Sequence, residues 1–370
     1  MKKIFLVFIL ASVSFINFAQ TTNDVLDLLI KNKTITQEQA DSVRAEAAIK
    51  QQDLDANKKS FFASASRLIQ LSGYTQVRYR VQEEDGKVDG FDIRRARLDI
   101  RGNVSPYFGY RLQTDFAGTP KLLDAYAEVK IFDYLNFTIG QAKIPFSMEN
   151  LASSNKMESI DRSQVVEALV ARGKDEIGNQ NGRDIGVQVG GSFGKFNNRF
   201  LFDYKIGVFN GAGINQEDKN ENKDVVGRLI AHPVKGFDFG GSYYTGTGNF
   251  GKPTTTNQDR ERYGIELSYE YQRFFIRGEF IAGKDGAITR NGWYAQTGYY
   301  LIPAKFQLIA KYDVYDTNTS VADDASTAIL IGGTYVFNNW SRIQVGYTFK
   351  QEEGPSVSNN FGVVQYQISF

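Results

Sequence analysis

At 370 residues the chain is long enough for one large domain or two smaller ones, and its richness in Phe (28), Tyr (20) and Gly (35) with only 7 Pro favours pleated, half-buried surfaces. Having no cysteine, it excludes disulfides, thiolate metal sites and a cysteine nucleophile, and its single histidine, His232, stands beside Pro233 at an expected turn rather than in a serine–histidine pair. A formal net charge of +1 creates no global field toward nucleic acid, so no such partner is expected and any electrostatic function rests on local placement.

Residues 1–19 have the layout of a signal peptide: Lys2 and Lys3, then the apolar runs Ile4–Leu10 and Val13–Ile16, then Ala19 as the small residue at the cleavage point. No later stretch has eighteen consecutive apolar residues, so any membrane crossing has to use strands. Residues 20–65 differ from all that follows. Val25, Leu28 and Leu29 recur at helical spacing, and Thr36 with Gln39 forms the pattern of a capping box opening a second helix. Ala40, Val43 and Ala47 continue a thin apolar stripe, which suits a short helical hairpin or weak coiled coil on the periplasmic side.

Over 66–370 the period changes to two. Sixteen alternating windows, from 69–83 to 360–370, mostly run nine to fourteen residues, the length of a tilted strand crossing a bilayer. Tight turns are expected at sites such as Ser105-Pro106-Tyr107, Asp133-Tyr134, Gly194-Lys195 and Asn338-Asn339. Longer polar connections alternate with them, among them 144–182, 246–258 and 284–288. Short turns at one end and long loops at the other, with both termini at the turn end, are the asymmetry of an outer-membrane barrel, whose turns are periplasmic. The faces agree: Ile343, Val345, Tyr347 and Phe349 alternate with Arg342, Gln344, Gly346 and Thr348. A cylinder of this size is too wide for side chains to fill, so the apolar face meets lipid. The expected fold is all-β, a sixteen-stranded antiparallel transmembrane β-barrel with a short N-terminal helical segment.

Three elements carry a family resemblance. Phe91-Asp92-Ile93-Arg94-Arg95-Ala96-Arg97-Leu98 is followed by Arg101-Gly102; Gly140-Gln141-Ala142-Lys143-Ile144-Pro145-Phe146-Ser147 and Arg183-Asp184-Ile185-Gly186 come later in the same order. Together they resemble the phosphate-selective porin O and P family over about 69–370. The resemblance implies homotrimeric, water-filled outer-membrane pores for small solutes, some of them anion-selective. Phe370, ending an alternating strand, resembles the signal read by the barrel assembly machinery.

Parity places Arg78, Arg80, Arg95, Arg97, Arg101 and Arg111 on the polar, lumen-facing side as candidate binders of small anions such as phosphate, with Asp99 and Asp115 as local offsets. Arg94 points to lipid by the same count, near a strand end where a bulge or the membrane interface could accommodate it. Glu128, Asp124, Asp203, Glu266, Glu270, Glu279 and Asp313 also face inward, and could balance the basic wall. The connection 144–182 is long enough to be functional, with a helix expected near Ser163–Val170. Folded inward, it makes Lys143, Arg162, Arg172 and Lys174 candidates for a constriction; the other reading is a solvated external loop. No spaced acidic pattern marks a metal site, and no cofactor is expected. The expected function is passive diffusion with an anion preference; a non-selective general porin, or a structural or adhesive barrel without channel activity, stand as the alternatives, and an enzyme is not expected.

Overall fold

The computed structural model describes residues 22–56, 68–251, 254–355 and 357–370, and the expected signal peptide lies outside them. The strands are β1 (Gln70–Gln82), β2 (Gly90–Asn103), β3 (Phe108–Asp115), β4 (Lys121–Phe132), β5 (Leu135–Lys143), β6 (Arg183–Phe196), β7 (Arg199–Phe209) and β8 (Asp224–Val234). They continue as β9 (Phe237–Phe250), β10 (Thr255–Tyr271), β11 (Phe274–Asp285), β12 (Ile288–Ile302), β13 (Phe306–Asp316), β14 (Ala325–Asn338), β15 (Ser341–Glu352) and β16 (Phe361–Ser369).

Each strand pairs antiparallel with its chain neighbours, and β1 pairs with β16 from Tyr74↔Ser369 to Gln82↔Phe361, closing the barrel. Closure leaves no row of unpaired N–H and C=O groups, which hydrocarbon could not satisfy. The apolar face is the outer one. Ile265, Ile331 and Val345 are more than half exposed, whereas Gln344 and Gln365 on the opposite face are about 1% exposed. Aromatic rings gather at the turn end, as in the stacked pair Phe132 and Tyr134 with centroids 5.0 Å apart. Amphipathic rings belong at that depth, where hydrocarbon gives way to headgroups.

Two expectations about connections need correction. The reversal after β6 is not Gly194-Lys195 but Asn197-Asn198, whose φ values of 47° and 59° match a two-residue hairpin turn of the kind asparagine tolerates. The loop side is also less uniform than expected, because β9 and β10 extend toward each other and β11 joins β12 through residues 286 and 287 alone.

Before the barrel lie α1 (Thr22–Lys31) and α2 (Gln37–Ala56). The capping box forms: the Thr36 N–H donates to Gln39 Oε1 at 2.9 Å and the Gln39 N–H to Thr36 Oγ1 at 3.2 Å. Arg44 of α2 pairs with Asp27 of α1, and Leu26, Ala40 and Ala45 are buried. Glu46 meets Lys235 at 3.2 Å and Asp41 meets Arg273 at 3.4 Å, which sets α2 against the turn end of the barrel.

Candidate functional site: the loop-narrowed lumen

The connection 144–182 folds into the barrel and carries two short helices, α3 (Met148–Leu151) and α4 (Gln164–Leu169). Each helix end leaves orphan backbone groups, and wall residues of matching charge satisfy them. At the start of α3, the Met148 and Glu149 N–H groups donate to the Glu279 carboxylate of β11 at 3.0 and 2.7 Å. At the start of α4, the Gln164 N–H donates to Asp313 Oδ2 of β13 at 2.8 Å. The far ends take cations. Lys143 Nζ donates to the carbonyls of Asn150, Leu151 and Ala152, each at 2.9 Å, and Arg262 Nε donates to the Leu169 carbonyl at 3.2 Å. Glu149 itself reaches Lys311 of β13 at 2.7 Å.

Packing holds the same loop. Ile144, Phe146, Val165, Val166 and Leu169 form a buried cluster with Phe209, Val226, Tyr244, Ile281, Tyr294 and Tyr315 of the wall. The lumen is therefore not lined by water alone, as the width argument implied; one sector is filled by the chain itself. Glycine makes the fit possible at β12, where a Cβ on Gly292 would lie 2.9 Å from Val165 Cβ.

The basic wall has a feature that strict alternation misses. Arg95 lies opposite Gln76 while Ile93 lies opposite Val77, so Arg94 is the extra residue of a β-bulge. The bulge turns Arg94 to the lumen beside Arg95, contrary to its expected lipid-facing parity. There Arg94 Nη2 meets Asp161 Oδ1 of the loop at 2.8 Å. The same carboxylate takes Arg78 at 3.4 Å and Arg80 at 3.3 Å, and Arg78 also pairs with Asp92 at 2.5 Å. Burial would raise the Asp161 carboxyl, but Arg94, Arg78, Arg80 and Arg95 together hold it below the usual carboxylate range.

The remaining candidates separate by partner. Arg97 pairs with Asp115 at 2.8 Å, Arg111 with Asp99 at 2.6 Å and Asp124 at 3.3 Å, and Arg101 with Asp99 at 3.5 Å. Arg95 has no ion pair among the described residues; its Nη1 donates to Gln76 Oε1 at 3.2 Å. Arg162 and Arg172 are buried inside the loop rather than presented to a solute. Arg162 donates to the Glu149 and Ala152 carbonyls at 3.1 Å each, and Arg172 to Asn150 Oδ1 at 2.6 Å. Desolvation and neighbouring arginines lower both guanidiniums, Arg162 to about 10 and Arg172 well below its ordinary value. Lys174 is exposed. Arg101 of β2 and Lys130 of β4 keep about half their side-chain surface, and Lys205 of β7 is exposed. His232 sits between Asp238 at 2.6 Å and Asp203 at 3.1 Å.

Sequence reasoning missed Asp161, Glu149 and Arg94 as members of the site. Asp92, 69 positions before Asp161, gave no hint of the loop carboxylate that would share its partner Arg78.

A closed membrane barrel narrowed by an inward-folded loop after its fifth strand defines a porin. The phosphate-selective porin O and P family matches residues 69–361, and the chain belongs to that family. No curated protein sequence matches it. In fold it is similar to the anion-selective porin from Comamonas acidovorans, with 14% identity, a TM-score of 0.61, and coverage of 82% of this chain and 99% of that one. It is also similar to the trimer form of OmpT of Vibrio cholerae (13% identity, TM-score 0.58, 82% and 99% covered). OprB of Pseudomonas putida gives 11% identity, a TM-score of 0.61, and coverage of 82% and 94%. The protein is an outer-membrane porin, a channel rather than an enzyme.

Proposed function

We propose that the channel passes small solutes by passive diffusion and prefers anions, phosphate among them, as a homotrimer with its turns and termini in the periplasm. The observation that carries the anion preference is a local excess of positive charge. Arg78, Arg80, Arg94 and Arg95 converge on one wall, where Asp92 and Asp161 are the carboxylates that pair with them. Arg95 supplies a planar guanidinium without a carboxylate partner, suited to bidentate contact with an oxyanion. The anion-selective porin of similar fold supports this reading, and the trimer form of OmpT supports the oligomer. The dense pairing of Arg97, Arg101 and Arg111 favours a second reading, in which the wall is largely structural and selectivity is weak.

The double change Arg94→Gln and Arg95→Gln separates the two. In planar bilayers at low salt it should move the reversal potential toward cation preference, with folding yield preserved. An unchanged permeability ratio at low salt would leave the second reading in place and remove the first. Phe370 is proposed to serve assembly by closing the seam: its N–H donates to the Gly73 carbonyl and the Gly73 N–H to its own carbonyl, both at 2.9 Å.

A further inference from the structure

Outside the lumen, where α2 meets the turn end, a cavity of about 480 Å³ opens between Glu38, Asp41 and the residues Tyr271, Arg273, Phe274 and Tyr299. That volume is in the range of small-molecule sites, roughly 300–1,000 Å³. The register places Tyr271 opposite Phe274 and Phe274 opposite Tyr299, so the three rings form one patch. All three are exposed on the outer, lipid-facing side. Outward aromatic rings at strand ends mark the membrane–water interface, so the cavity lies at headgroup depth in the leaflet on the turn side.

Its polar wall carries one guanidinium and two carboxylates. Arg273 Nη2 is 3.4 Å from Asp41 Oδ1, a loose contact, and the same oxygen also accepts from Arg44 Nη1 at 3.1 Å. Glu38 is exposed and has no ion pair among the described residues. Such a lining matches a headgroup with a phosphate and a primary ammonium a few ångströms apart. The phosphate takes Arg273, the ammonium takes Glu38 and Asp41, and the start of the acyl chains lies on the rings. An anionic headgroup without an amine would bring no cation for Glu38 and Asp41 and would leave its negative charge beside them. We propose that this cavity binds a zwitterionic phospholipid of the phosphatidylethanolamine type from the leaflet on the turn side, and that the bound headgroup joins α2 to the foot of the barrel.

The test is native mass spectrometry of the whole protein, released from micelles doped equally with phosphatidylethanolamine, phosphatidylglycerol and phosphatidylcholine. The wild type should retain phosphatidylethanolamine over phosphatidylglycerol by about fivefold or more, the ratio that one exposed charge contact supports. It should also retain it over phosphatidylcholine, whose methylated amine cannot donate hydrogen bonds. The double change Glu38→Gln and Arg273→Gln should abolish the preference and leave conductance unaltered, since neither residue lies in the loop-narrowed lumen. Equal retention of the three lipids by the wild type, or an undiminished preference in the variant, would overturn the proposal. Neither result would touch the channel reading.

Discussion

Arg94 and Arg95 show how one inserted residue changes what a wall can do. Alternation alone gives the lumen one of two adjacent arginines; the bulge opposite Gln76 and Val77 gives it both. The sequence made the other wall arginines legible by parity, but a bulge leaves no signature in a run such as Ile93-Arg94-Arg95-Ala96, because its position is set by pairing with β1. Asp161 is the counterweight, and its removal gives a prediction of opposite sign to that of the arginine changes. Asp161→Asn deletes the carboxylate that Arg78, Arg80 and Arg94 share, so anion permeability relative to cation should rise. A unit charge at about 4 Å is worth about 1 kcal/mol in bulk water, so the ratio should change up to roughly fivefold at low salt and less at 1 M. A reversal potential that moves toward cation preference in this variant would contradict the assigned role.

The inward loop depends on charge at its helix ends and on small residues in the wall behind it. Its length and the helix near Ser163 were readable from the sequence. Its seat was not, because Glu279, Asp313, Lys311 and Gly292 lie more than a hundred residues away from the groups they hold. Gly292→Val should push Val165 and α4 off β12, with overpacking of about 1–3 kcal/mol, and should also strain the pairing with β13, since the added Cβ would lie 2.5 Å from the Val314 carbonyl oxygen. The expected outcome is higher single-channel conductance and faster proteolysis within 144–182. Gly227→Ala on β8, where an added Cβ meets nothing within 4 Å, should change neither. Two of the loop's ion pairs should also resist mild acid. Burial would raise the Glu149 carboxyl, but Lys311 and Ser163 hold it below the usual range, and the arginines do the same for Asp161. A depressed folded value stabilises fully above the unfolded value of about 4 and is lost only as pH falls through the lower, folded value. The Glu149–Lys311 and Asp161–arginine pairs should therefore stay ionised from pH 7 to about pH 4, which carboxyl titration followed by NMR would check; protonation of either carboxyl between pH 6 and 5 would contradict it.

For the whole molecule, the strand count and the inside-out distribution of apolar residues were legible because alternation over sixteen windows is a strong signal, and closure follows from having no edge in lipid. The partly filled interior was not legible, since Phe209, Val226 and Ile281 on the lumen face look like exceptions until the loop that covers them is in place. Closure itself is testable. Deleting Phe370 removes both backbone bonds to Gly73 at the seam, and folded, heat-modifiable protein in the outer membrane should fall sharply. Undiminished levels would show that the seam and its assembly signal lie elsewhere. The central claim, a conducting barrel whose loop-side wall carries excess positive charge, is tested most directly by the reversal potential of the wild-type channel in a tenfold KCl gradient at low mean salt. The account predicts discrete conducting channels with the sign of chloride preference, decaying toward zero as both sides approach 1 M; absence of conductance, or a reversal potential with the sign of potassium preference, would contradict it.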